Sequence, residues 1–383
     1  MISSTSGVCT IVAKNYISFA RTLFQSFQKQ HPDIRCYVLV IDDWKDYLKP
    51  SEEPFEIISL GDIAVPDAEE MAFKYDITEF STAVKPFLLE YLLVKKGHDK
   101  LLYLDPDILV TGSLDGLFKK LDQHDFLITP HLDTDYPEDG LLPDDRHILI
   151  SGVFNLGFFG IRKSQTSESF LKWWQGKLQT KCVIDHARGY FVDQRFIDLA
   201  ITLFPGFYFE KDTGYNAAYW NMHSRHLSRE ADIWKCNGGR LYFFHFSAYK
   251  LERPDSISGH ANRFNFQNRP DVKPLFDEYH HRLIENGYLK TYQWPYTFGN
   301  FADGGKIPYE LRGRYRAALK TGVKITDPFR SRDHLEAKLR SIDPGRNQSP
   351  FVLSLKRLGR NLTPPFVWEG LSWIKSQCLR IAH

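Results

Sequence analysis

Apolar positions in the first 130 residues follow two periods in turn. Short continuous runs at Gly7–Ala13, Arg35–Ile41 and Lys100–Leu104 read as buried strands, with Glu56–Leu60 and Asp125–Pro130 as shorter ones. Between them, Phe19, Leu23, Phe24 and Phe27 recur at helical spacing and predict a helix from about Tyr16 to Gln30, closed by His31-Pro32. Thr78 to Lys96 reads as one long helix or two abutting ones ended by Gly97, and Leu114 to Leu121 as a short helix. Strands alternating with helices predict an α/β fold whose central sheet is mainly parallel and flanked by helices. Ligands of such sheets bind outside the carboxyl ends of the strands, where Asn15, Asp42 and Asp105 are expected.

Beyond residue 130 the pattern loosens. Leu132–His147 carries six acidic residues among Pro and Gly and reads as a solvated loop, with a lid as the alternative. Val153–Arg162 returns to strand, Ser164–Thr180 and Phe191–Leu203 read as helices, and Leu241–Phe246 is an apolar strand that carries His245 near its end. From about Pro308 the chain reads as helical and basic. There is no internal repeat.

The run Leu101-Leu102-Tyr103-Leu104-Asp105-Pro106-Asp107 places two carboxylates two residues apart where a buried strand ends. Residues i and i+2 of a strand share a face, so both acids are expected to emerge together. Such a pair repels itself unless a cation or proton lies between, and a hard divalent cation is the natural occupant. His245, at another strand end, is a candidate third ligand for the Asp105–Asp107 pair. Oxygen and imidazole ligands together suit Mn²⁺ better than Ca²⁺, with Mg²⁺ tolerated.

Composition narrows the class. With 383 residues, 43% hydrophobic and 25% charged, the chain is an ordinary globular protein with room for one large or two modest cores. A net charge of +2 argues against a general nucleic-acid binder. The five cysteines are scattered without a Cys-x-x-Cys pair, which argues against structural zinc or a disulfide framework. No secretory leader and no run of 18 apolar residues are read, so a reducing cytoplasm is the expected location.

The residues together resemble a known family. Thr10-Ile-Val-Ala-Lys-Asn-Tyr16, Thr82-Ala-Val-Lys85-Pro, Leu102-Tyr-Leu-Asp105-Pro-Asp107, Phe154-Asn155-Leu-Gly157, Asp193-Gln194 and His245-Phe-Ser-Ala248 occur in the order and spacing of glycosyltransferase family 8. That family has the GT-A nucleotide-sugar fold and includes glycogenin and lipopolysaccharide galactosyltransferases. The resemblance covers roughly residues 7–250. It implies that Asp105, Asp107 and His245 bind a metal bridging the phosphates of a nucleoside diphosphate sugar, favouring a UDP-sugar. It further implies that Thr10, Asn15 and Tyr16 hold the nucleoside, that Lys85 contacts the donor, and that Asn155 meets a sugar hydroxyl. Asp193 and Gln194 would lie beside the reacting anomeric carbon. The implied reaction transfers a hexose with retention to a glycan or lipid-linked acceptor. The implied domains are residues 1–307, with a donor half of about 1–130 and an acceptor half of about 131–307, and a helical extension over 308–383.

Two departures from the family pattern stand out. Ala248 takes a glycine position and Leu251 a lysine position, with Lys250 displaced by one residue; Leu156 stands where small residues are usual. The competing enzyme class, a sugar-1-phosphate nucleotidyltransferase, needs a Gly-rich loop after the first strand, and Ala13-Lys14-Asn15-Tyr16 has no glycine. A non-catalytic carbohydrate-binding domain would be expected to lack the three ligands. Finally, residues 351–383 carry five basic side chains against the single acid Glu369, with Val367, Leu371, Ile374, Cys378 and Ile381 at helical spacing. A basic amphipathic helix of this kind either lies on the inner face of an anionic bilayer or docks on the rest of the protein.

Overall fold

A computed structural model describes residues 5–342, so the tail over 351–383 lies outside the described residues. The chain divides into two compact units, one ending at Asn300 and the other beginning at Phe301.

The first unit is built on a seven-stranded sheet. Its strands in chain order are β1 (Ser6–Val12), β2 (Arg35–Val40), β3 (Glu56–Ser59), β4 (Lys100–Leu104), β6 (Phe126–Pro130) and β7 (Phe154–Arg162), with an edge strand at Phe207–Phe209; β5 (Ile108–Val110) belongs elsewhere. Across the sheet the order is Phe207–Phe209, β6, β7, β4, β1, β2, β3. The pairings β1–β2, β2–β3, β1–β4 and β6 with the edge strand are parallel, while β7 runs antiparallel to both β4 and β6. The mainly parallel sheet expected from the alternating pattern is therefore present. β1, buried along its whole length, has continuous apolar character because helices cover both faces of such a sheet.

The helix Ile17–Gln28 follows β1 and buries Ile17, Ala20, Leu23, Phe24 and Phe27 against Val8, Val12, Val38 and Val40 of β1 and β2. The segment read as one helix or two is two, Ile77–Ala83 and Lys85–Val94, meeting at Val84. Pro86, which has no N–H to bond backward, sits in the first turn of the second helix, where it does least harm.

Several elements were not legible in the pattern. β5 leaves the main sheet directly after the Asp pair and joins a second, three-stranded sheet with Ala217–Ala218 and Phe243–His245. The helix expected over Phe191–Leu203 begins only at Ile197, after a short hairpin (Ile184–Asp185 with Tyr190–Phe191) and a 3₁₀ turn at Gln194–Phe196. Val192 explains the delay: its φ of 39° is left-handed, a conformation that a β-branched residue rarely adopts and that no helix tolerates. The acidic loop is pinned rather than freely solvated. Asp133 pairs with buried Arg225 at 3.1 Å, Asp139 with buried Arg263, and the Tyr136 hydroxyl donates to the Trp220 carbonyl at 2.6 Å. Asp144 then caps a helix, Asp145–Ser151.

In the second unit, two helices are described, Tyr309–Leu319 and Arg332–Ile342, which pack against each other.

Candidate active site

At the end of β4 the Asp105 N–H donates to the Gly157 carbonyl of β7 at 2.7 Å, and the chain turns through Pro106 into β5. β5 pairs antiparallel with Phe243–His245, with Ile108 opposite His245, and the Phe246 N–H donates to the Asp107 carbonyl at 2.8 Å. This register brings the imidazole to the carboxylates. His245 Nε2 lies 3.0 Å from Asp107 Oδ1 and 3.9 Å from Asp105 Oδ2. A ligand atom from each of the three residues lies within 4.8 Å of the others, so the group can hold a metal ion.

The surroundings fit a cation. A β-carbon built on Gly157 would come within 2.3 Å of His245 Cε1 and 2.7 Å of Nδ1, so only glycine leaves room for the imidazole behind the carboxylates. Burial raises the Asp105 pKa, with Asp107 adding to the rise and Lys85 and His245 opposing it. Burial alone would lower His245, but the Asp107 and Asp105 carboxylates outweigh it and the net shift is upward. The His245 shift expresses the pull of two nearby carboxylates, and two carboxylates with one imidazole form a donor set that can hold a divalent cation.

Beside this group lies a buried polar network. Lys85 starts its helix with Nζ 2.5 Å from Asp193 Oδ2, donating to the Leu156 carbonyl at 3.0 Å and lying 4.2 Å from the centre of the Tyr103 ring. Gln194 is held at both ends of its amide: Oε1 accepts from the Leu156 N–H at 3.0 Å, and Nε2 donates to the Ser151 carbonyl at 2.9 Å. Asn155 Oδ1 accepts from the Gly157 N–H at 3.1 Å and from Asn216 Nδ2 at 3.0 Å. The unusual Leu156 thus serves Lys85 and Gln194 through its backbone. Asp193 follows strained Val192 directly, so the hairpin's bend aims the carboxylate inward at Lys85.

The nucleoside candidates are placed less uniformly. Asn15 and Tyr16 lie in the 3₁₀ turn Lys14–Tyr16 just past the carboxyl end of β1. Tyr16 is 36% exposed, stacked on Phe19 with centroids 4.2 Å apart. Thr10 is wholly buried within β1, on the face it shares with Val8 and Val12, and its hydroxyl has no partner. Thr10 is therefore inside the sheet while Asn15 and Tyr16 are at its mouth.

Three residues of this region carried no readable sequence signal. Asn216, in the left-handed region at φ 53°, donates to Thr129 Oγ1 at 2.7 Å as well as to Asn155. His131 Nε2 is 3.4 Å from Asn155 Nδ2, and its ring meets Trp220 edge-on at 5.2 Å, as His245 does at 5.1 Å. Lys14 is buried, with Nζ 2.9 Å from Asp42 Oδ2 and 2.9 Å from Thr297 Oγ1. Ala248 has φ 58°, a left-handed conformation that glycine adopts at no steric cost and alanine does not.

No family model matches the chain. It is 23% identical over 287 residues to the uncharacterized protein YfnF of Bacillus subtilis (strain 168), a match spanning 74% of this chain and 94% of that protein. Among solved structures it is similar to the galactosyltransferase LgtC, crystallised with donor and acceptor sugar analogues, at 18% identity and a TM-score of 0.44, covering 80% of this chain and 99% of LgtC. It is also similar to the glycosyltransferase GlyE of Streptococcus pneumoniae TIGR4, at 16% identity and a TM-score of 0.42, covering 77% and 66% of the two chains. Both solved neighbours are glycosyltransferases.

Proposed function

We propose that this protein is a metal-dependent glycosyltransferase of the GT-A type, moving a hexose from a UDP-sugar to a glycan or lipid-linked acceptor with retention. The observation that carries the reading is the adjacency of two unlike clusters. A cation-binding set of Asp105, Asp107 and His245 suits a diphosphate, and a fixed set of amides and a carboxylate (Asn155, Asp193, Gln194) suits sugar hydroxyls. A divalent ion held by the first set would offset the charge that develops on the departing diphosphate.

The chain's own groups divide the remaining work. Lys85 stands between the sets and adds positive charge beside the donor, while its pairing with Asp193 holds that carboxylate in place. Gln194, clamped at both ends of its amide, cannot swing away from the anomeric carbon it would face. In the transfer the anomeric C–O bond to the diphosphate breaks and the bond to the acceptor oxygen forms. The acceptor proton passes to the leaving diphosphate on the same face. Asn15 and Tyr16 mark the nucleoside end, with Thr10 behind them in β1. Residues 1–130 form the donor half and 131–307 the acceptor half, followed by a C-terminal extension over 308–383. A cytoplasmic location with peripheral membrane contact through residues 351–383 completes the reading. No helix among the described residues is long and apolar enough to cross a membrane.

A hydrolysis screen of UDP-, GDP- and CDP-sugars with Mn²⁺ tests the proposal, because slow donor hydrolysis reveals the donor without the acceptor. The expected result is turnover of a UDP-sugar that EDTA abolishes. Undiminished turnover in EDTA, or a clear preference for a GDP-sugar, would refute the metal or the nucleotide part respectively.

A further inference from the structure

Tyr103 belongs to β4, the strand that delivers the Asp pair, and lies between β1 and β7 with Cys9 and Phe159 opposite it in register. It is 3% exposed. Residues 103 and 105 share a strand face, so the phenol points along the chain toward its own i+2 carboxylate. Its hydroxyl donates to Asp105 Oδ1 at 2.7 Å, while the other oxygen, Oδ2, is the one 3.9 Å from His245 Nε2. The ring is held in turn by the Lys85 ammonium, 4.2 Å from its centre, and Lys85 is fixed by Asp193 and the Leu156 carbonyl. Tyr103 is thus buried and locked, with one polar atom, and that atom is committed to a single oxygen of Asp105.

We propose that Tyr103 is a positioning residue: by occupying Asp105 Oδ1 it turns Oδ2 toward His245 and Asp107 and so sets Asp105 to bind the cation through one oxygen. An ionised carboxylate accepts through either oxygen, and without a donor on one of them Asp105 would rotate freely between arrangements. Partners of this kind, one bond removed from a metal, orient its ligands, and their loss weakens metal binding about ten- to a hundredfold. The inference rests on the reading of Asp105, Asp107 and His245 as metal ligands.

Tyr103→Phe keeps the ring over Lys85 and removes only the hydroxyl. Electron paramagnetic resonance titration with Mn²⁺ alone, without nucleotide, is the direct measurement on the full chain. The wild type is expected to bind Mn²⁺, and Y103F to bind it at least about tenfold more weakly. A thermodynamic cycle with Asp105→Asn separates orientation from general loosening of the core. If Tyr103 acts through Asp105, adding Y103F to D105N weakens Mn²⁺ binding no further. Wild-type binding with Y103F equally tight would overturn the inference while leaving the metal site standing. A second, additive loss in the double variant would also overturn it, since Tyr103 would then be acting on the fold. No Mn²⁺ binding by the wild type would remove the metal reading itself.

Discussion

Two sets of carboxylates lie at the carboxyl ends of the central strands, and they have been treated in opposite ways. Asp42, after β2, is fully buried and fully answered: Oδ1 accepts from the Lys14 N–H at 2.9 Å, and Oδ2 meets Lys14 Nζ at 2.9 Å and the Thr297 N–H at 3.1 Å. Asp105 and Asp107, after β4, keep side chains 30% and 24% exposed and share one imidazole and one phenol between them. The first set is neutral and closed, tying the turn after β1 to the segment near Thr297. The second is short of positive charge and open on one side. Position at a sheet edge therefore does not make an acid functional. What separates the two is whether the protein itself supplies the compensating charge.

The contrast is broken most strongly by neutralising one acid from each set. Asp105→Asn is expected to weaken Mn²⁺ binding to a still measurable level and to reduce donor hydrolysis at least a hundredfold, with little change in the urea unfolding midpoint. Asp42→Asn should do the reverse. It strands the buried Lys14 ammonium, and losing one partner of a buried pair costs about 3–5 kcal/mol, readable in urea unfolding while Mn²⁺ affinity is kept. If both variants lost stability and neither lost metal, the distinction between the sets would be wrong.

A smaller effect tests how dry the interior beside the second set is. His131, buried beside Asn155 and Trp220, is held down from the ordinary 6.5 to about 4 by burial, with nearby His245 adding to the fall and hydrogen bonds to the backbone of residues 152 and 153 opposing it. The unfolded chain takes up this proton first, so the contribution is complete above pH 6.5. It is lost as pH falls toward 4, and amounts to roughly 3 kcal/mol. His31, His98 and His260 are displaced in the same direction, chiefly by burial, and add to the acid sensitivity. Urea unfolding at pH 7 and pH 4.5 should show the fall, and His131→Asn should flatten it. An unchanged slope in that variant would mean the imidazole is hydrated.

The smallest expected change is at Ala248, three residues beyond His245. Its left-handed φ of 58° costs an alanine about 1–2 kcal/mol, against about 0.4–1 kcal/mol of extra unfolded-state entropy for glycine. Ala248→Gly should therefore stabilise the fold by roughly 0.5 kcal/mol. Metal affinity should be unaltered if the backbone already has the shape the His245 strand end needs. A loss of stability would show that the alanine methyl is packed to advantage.

By itself the sequence determined what adjacent residues decide. Continuous apolar runs set β1, β2 and β4, the helical spacing of Phe19, Leu23, Phe24 and Phe27 set the first helix, and the Asp105–Asp107 spacing put two acids where one strand ends. These follow from burial at periods of 2 and 3.6, which a local stretch carries in full. The tertiary structure decided the partners. His245 reaches the acids because β5 leaves the main sheet and pairs with a strand some 135 residues later, a register that no local pattern contains. Lys85 meets Asp193 across more than a hundred residues because strained Val192 bends the chain there, where apolar spacing alone reads as helix. Asp42 is likewise an anchor rather than a ligand only because Lys14 folds back and Thr297 arrives from far along the chain. Charge compensation acts through space, and whether an acid at a sheet edge is spent on the fold or kept for chemistry is settled only once the chain has closed around it.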